Sequence, residues 1–125
     1  MMHWNAGGWF GAQLGGSLWI LIAGVLALRL DTQAGISAIV LFGAANGLGS
    51  FLWTRRDGLS AYAGIQLLLA LVGTAGLAAV YVLERAGIFE AIQVGARVSA
   101  QGMYVVLIVV ITALMLLFYL RFGRK

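Results

Sequence analysis

Four stretches of the chain run without a single charged residue: residues 9–28, 35–53, 61–83 and 103–120. They are separated by "RLDTQA", "TRRDGLS" and the longer "ERAGIFEAIQVGARVSAQG". Each run holds roughly 20 residues, and at ~1.5 Å of rise per helical residue that length crosses a hydrocarbon core ~30 Å thick. Lipid offers no water to satisfy an open backbone, and the runs are too long and too evenly apolar for barrel strands. Each is therefore predicted to be a transmembrane α-helix. The expected fold is an all-α integral membrane protein, residues 1–125 forming one domain of four transmembrane helices in a compact bundle. Proline is absent, so nothing obliges a helix to kink. No Lys or Arg precedes Arg29, so the first run lacks the basic leader of a secretory signal and is read as a retained helix.

The third connection has a pattern of its own. At about 100° per residue, Glu90, Gln93, Arg97 and Gln101 share one arc while Ile88, Phe89, Ile92 and Val98 lie elsewhere. This fits a short amphipathic helix on the membrane surface between helices 3 and 4, or equally a helical extension of either span.

Apolar residues say little about facing in a bilayer, so small and polar positions must mark the packing faces. In the first span Gln13, Gly16, Ser17, Ile20, Ala23, Gly24 and Ala27 share a face opposite Leu14, Leu18, Leu21, Val25 and Leu28. The second gathers Gly43, Asn46, Gly47 and Ser50 against Leu41, Leu48 and Leu52. The third gathers Ala63, Gln66, Ala70, Gly73, Thr74, Leu77 and Tyr81 against Leu67, Leu68, Leu71 and Val72. The fourth offers only Tyr104, Ile108, Thr112, Met115 and Tyr119 as a distinctive stripe. Gln13, Asn46 and Gln66 lie within ~4.5 Å of one depth along the helix axes. With Ser17 and Ser50 they make a candidate buried polar layer, expected to close inside one protomer. Such a layer is either interhelical glue or the lining of a solute path. Gly11, Gly15, Gly43, Gly47 and Gly73 are the candidate helix-packing positions. Gly7, Gly11 and Gly15 sit on a different face from Gln13, which suits a contact between protomers.

Composition narrows the function. Charged residues make up 10% of the chain, against ~25% in soluble domains, and the mean hydropathy is +1.00. There is no cysteine, and the one histidine is His3 on the N-terminal tail. Thiolate chemistry, disulfides and the usual intramembrane ligands of haem or metal are therefore not expected, and no cofactor is anticipated. Asp31, Asp57, Glu84 and Glu90 all fall outside the spans, with no pair spaced for acid and base work and no nucleophile beside a base. Catalysis is not expected. Ion-coupled transport usually needs an ionisable group at membrane depth, and the spans hold none.

The net charge of +4 comes from basic residues at the ends of apolar runs, a pattern that suits lipid head groups rather than nucleic acid. The N-terminus, second connection and C-terminus share one side, with Arg55, Arg56, Arg121, Arg124 and Lys125. The other side carries Arg29, Arg85 and Arg97. This bias predicts both termini in the cytoplasm of a bacterial-type inner membrane. Trp53, Arg55, Arg56 and Tyr62 read as the aromatic and basic belt of that interface, in contact with lipid head groups.

Two families of short four-span proteins provide comparisons. Small multidrug exporters depend on a glutamate in the first span, and this first span has no acid. "GGWFGA" at Gly7 to Ala12 and "NGLGSF" at Asn46 to Phe51 are similar to G-G-x-x-G-A-x-x-R and N-x-x-G-S-F of the fluoride-channel family, whose members are dual-topology dimers. The chain departs from that pattern at Gly15, where the family has arginine. Its third span also lacks the family's break rich in hydroxyls and phenylalanine. The expected function is a noncatalytic module that self-associates or braces a membrane-protein partner in the lipid bilayer. The alternative is a homo-oligomeric passive channel or transporter for a small solute, which the fluoride-channel resemblance would imply.

Overall fold

The structure, a computed structural model, describes residues 3–88 and 100–123. Among the described residues there are four α-helices: α1 (Ala6–Ala27), α2 (Thr32–Thr54), α3 (Ala61–Arg85) and α4 (Ala100–Phe118). A 3-10 turn, Arg56–Gly58, links α2 to α3, and α4 ends in one π-helical turn, Tyr119–Gly123. All four helices are long and apolar enough to cross a membrane, so the chain is an all-α membrane protein built as a helical bundle. Glu90, Gln93 and Arg97, on which the surface helix was expected, lie outside the described residues, while Gln101 falls in the first turn of α4.

The helix ends follow capping chemistry rather than hydropathy. Asn5, Asp31 and Ser60 each accept a hydrogen bond from the backbone N–H three residues on, at Gly8, Ala34 and Ala63 (2.8, 3.0 and 3.1 Å). Each cap satisfies one of the donors that a helix start leaves open. Hence α1 and α2 begin three residues earlier than the apolar runs at Trp9 and Gly35. α3 runs to Arg85, and Gly87 then takes a positive φ of 74°, a conformation that glycine adopts without strain.

Helices α1, α2 and α3 pack on one another, and α4 packs chiefly on α3. Two apolar clusters fill the interior. One is built largely from alanines, with Ala27, Ala34, Ala38, Ala45, Ala75 and Ala79 around Ile20 and Leu83. The other joins Trp9, Ile65, Leu68, Leu69 and Val72, with Trp53, Ile111, Met115 and Phe118 against them. Small side chains let backbones approach, which maximises dispersion contact where no hydrophobic force drives helices together. The closest approach is α1 on α2. A Cβ on Gly35 would stand 2.7 Å from the Leu28 amide nitrogen and 2.8 Å from the Gly24 carbonyl oxygen.

Helix α3 is central and uses both faces. Leu68 and Val72, expected on its lipid side, are buried, whereas Thr74 and Tyr81, expected inside, are exposed. The reason is complementarity between large and small residues on different helices. Val72 packs where Gly16 of α1 carries no side chain, and Trp19 of α1 meets Gly76 of α3. Helix α4 contacts α3 through Leu107 and Ile111, seated on Gly76 and Gly73. The expected stripe holds only in part: Tyr104 and Met115 are half-buried, whereas Ile108 and Tyr119 are about half exposed and Thr112 is exposed.

Candidate functional site

Between the two apolar clusters, α1 and α2 bring Gln13, Ser17 and Asn46 together. Gln13 Nε2 donates to Asn46 Oδ1 at 3.0 Å and to the Asn46 carbonyl at 3.2 Å. Asn46 Nδ2 donates to Ser17 Oγ at 3.0 Å and to the Phe42 carbonyl at 2.8 Å. The Ser17 hydroxyl in turn donates to the Gln13 carbonyl at 2.7 Å. Gln13 is 3% exposed and Ser17 is fully buried, so in lipid these groups depend on one another. Gln13 Oε1 is buried without a hydrogen-bond partner and lies against Gly49, where a Cβ would collide with the amide. The missing side chain at Gly49 is what seats Gln13 on the backbone of α2. It also exposes the Gly49 carbonyl to the indole N–H of Trp9, 3.1 Å away.

Gln66 does not join this layer. It lies in the seam between α3 and α4, where Nε2 donates to the Met115 carbonyl at 2.9 Å and to the Tyr62 hydroxyl at 3.2 Å. Its Oε1 is buried and unpartnered. The expected single layer is therefore two separate polar contacts, because a shared depth fixes height along the bundle and leaves the direction around α3 open. Ser50 is half-buried and makes no hydrogen bond among the described residues.

The packing glycines divide the same way. Gly73 is buried beneath Ile111, with a Cβ there 3.2 Å from its side chain. Gly11, Gly15, Gly43 and Gly47 are exposed with nothing within 4 Å of a Cβ, so none packs inside the protomer. For Gly43 and Gly47 this corrects the expected face: α2 turns Ala38, Ala45 and Gly49 inward instead. The internal contacts that sequence reasoning missed include Gly35, Gly49, Gly64 and Gly76. Their surroundings in the chain are no different from those of the outward glycines, so no local signal separates them.

At the end of the bundle where α1 begins, Trp4, Trp9 and Trp53 gather with ring centres 5.0 to 6.3 Å apart. Trp4 rests on Gly64 and donates its indole N–H to the Leu59 carbonyl at 3.0 Å. The Arg56 guanidinium lies 4.5 Å from the Trp53 ring centre, and that of Arg55 lies 5.0 Å from Phe51. Trp53, Arg55 and Arg56 thus cluster with Phe51 and the other indoles at this end of the bundle. Tyr62 instead packs against the π turn at Gly123 and accepts from Gln66.

The Gln13, Ser17 and Asn46 cluster is built from carboxamides and one hydroxyl, and no acid or imidazole adjoins that hydroxyl among its hydrogen-bond partners. Among the described residues, no three His, Cys, Asp or Glu side chains gather as a metal site. No family model, curated protein or solved structure matches the chain.

Proposed function

We propose that this chain is a noncatalytic membrane module that associates with further copies of itself, or with the helices of a larger assembly, through faces its own fold leaves open. One observation carries this reading. The carboxamides of Gln13 and Asn46 are turned inward onto each other and onto Ser17, while Gly11, Gly15, Gly43 and Gly47 face out with no neighbour. Polar groups closed in this way hold two helices together, and outward glycines are positions where another backbone can approach. In lipid nanodiscs the wild type is expected to be oligomeric. Gly15→Leu and Gly47→Leu should lower the oligomer fraction without lowering the melting temperature of the protomer, as read by native mass spectrometry and thermal unfolding. A wild type that stays monomeric at all protein-to-lipid ratios would remove the basis for this reading.

A second reading, a passive path for a small solute at an oligomer interface, draws on one feature. A groove of about 210 Å³ between α3 and α4 carries the hydroxyls of Thr74 and Thr112, in the same seam as the unpartnered Gln66 Oε1. Proteoliposomes separate the two readings: flux of fluoride, another small ion or a neutral solute that is lost in Gln66→Leu favours the path, and its absence favours the module.

The orientation belongs to the same proposal. Five basic residues against three support an orientation with both termini in the cytoplasm of an inner membrane. A fluorescent-protein reporter fused after Lys125 is expected to be bright and an alkaline phosphatase fusion inactive, and the opposite pair of results would invert every connection.

A further inference from the structure

At the end of the bundle remote from the tryptophans, the α1–α2 turn and the last turn of α3 enclose an open groove of about 330 Å³. Asp31, Gln33 and Ser37 line it from the cap and first turns of α2, and Tyr81 and Arg85 line it from the end of α3. Asp31 Oδ1 caps the Ala34 amide at 3.0 Å, and its second oxygen has no partner among the described residues. The same is true of the Gln33 and Ser37 side chains. Arg85 donates one N–H to the Tyr81 hydroxyl at 3.2 Å and lies 5.7 Å from that ring's centre. A guanidinium has five N–H donors, and apart from the one given to Tyr81 they have no hydrogen-bond acceptor among the described residues. Asp31 and Arg85 share the groove without forming an ion pair among the described residues.

An acid and a base that line one groove without neutralising each other match a ligand carrying both charges in the reverse order. We propose that this groove binds a phosphoethanolamine group. Its phosphate sits on Arg85 and the hydroxyls of Tyr81 and Ser37, and its ammonium on Asp31 and the Gln33 carbonyl. Arginine suits phosphate because its planar fork presents parallel donors, and a primary ammonium suits a carboxylate because it donates. A head group bearing phosphate alone would face the Asp31 carboxylate uncompensated. A quaternary ammonium would fill the space but have no N–H to give. The position also fits a phospholipid source, since Asp31 begins α2 and Arg85 ends α3, at the edge of the apolar spans. The floor of the groove is apolar, from Ala34 and Val82.

The test uses the full chain in detergent micelles, titrated with phosphatidylethanolamine, phosphatidylcholine and phosphatidylglycerol of identical acyl chains and read by native mass spectrometry. Phosphatidylethanolamine is expected to bind about fivefold more tightly than the other two, a modest ratio because the groove is open to solvent. Asp31→Asn keeps the helix cap, as asparagine caps as well as aspartate, and should erase the preference over phosphatidylglycerol. Arg85→Gln should weaken all three phospholipids. If that variant does not assemble, Asp31→Asn alone decides the point. Added free O-phosphoethanolamine distinguishes the source: displacement of the lipid means that the head group suffices, and preference without displacement means that the groove reads it only on a lipid. Equal binding of all three lipids by the wild type, or a preference untouched by Asp31→Asn, would overturn the assignment.

Discussion

Gly35→Ala should destabilise the bundle by about 3 kcal/mol, the upper part of the usual range for overpacking a closed contact. Its new methyl would stand 2.7 Å from the Leu28 amide nitrogen, 2.7 Å from Leu28 Cδ2 and 2.8 Å from the Gly24 carbonyl oxygen. Two of those three atoms are backbone and cannot swing aside, so α1 and α2 must separate or shift along each other. Separation loosens the alanine contacts of the cluster they share, including Ala27, Ala34 and Ala38. Thermal unfolding in micelles reads the loss. Gly15→Ala is the control, because nothing lies within 4 Å of its Cβ and alanine favours a helix over glycine. The control should melt at or above the wild type. Equal losses at both positions would mean that the close approach of α1 to α2 does not carry the stability assigned to it.

Asn46→Leu should cost about 2 kcal/mol, and its effect should reveal which polar groups act together. The substitution removes the acceptor of Gln13 Nε2 and the donor to Ser17 Oγ. Gln13, 3% exposed, keeps only its longer 3.2 Å contact to the Asn46 carbonyl. Because Gln13 and Asn46 share one hydrogen-bond cluster, Gln13→Leu combined with Asn46→Leu should cost well under the sum of the two. Gln66 bonds instead to Tyr62 and Met115. Gln66→Leu and Asn46→Leu should therefore add to within about 0.5 kcal/mol, as separated sites do. A strong coupling between Asn46 and Gln66 in that double-mutant cycle would restore a single carboxamide layer.

The contrast between those two pairs also marks what the sequence could convey. Four charge-free runs fix the number of helices, because only a helix satisfies its own backbone in lipid. On α1 the small and bulky residues segregate, and Gln13, Ser17, Ile20, Gly24 and Ala27 of the small face are buried, joined by the bulky Trp9. The same rule misleads on α2. Small residues occur on both its inner and outer sides, and nothing in the chain tells Gly49, pressed against Gln13, from Gly47, which meets nothing. On α3 the rule fails for another reason: a bulky Val72 packs well when its neighbour is Gly16, so size must be read as a pair across two helices. Gln66 sits at the depth read from its position, yet its azimuth depends on where α4 docks. That docking is a property of three helices at once and has no local sign.

Each of the three principal helix contacts joins neighbours in the chain, α1 with α2, α2 with α3 and α3 with α4, and the lesser contact of α1 against α3 skips a helix. Such an order keeps the sequence separation between partners small, so little loop entropy is lost as each contact closes. The bundle is arranged like a strip folded back on itself: each helix, as synthesis delivers it to the bilayer, finds its main partner already in place. Helix α4, the last of these four in the chain, rests chiefly on α3, so it can dock on a face that the α1, α2 and α3 contacts leave open.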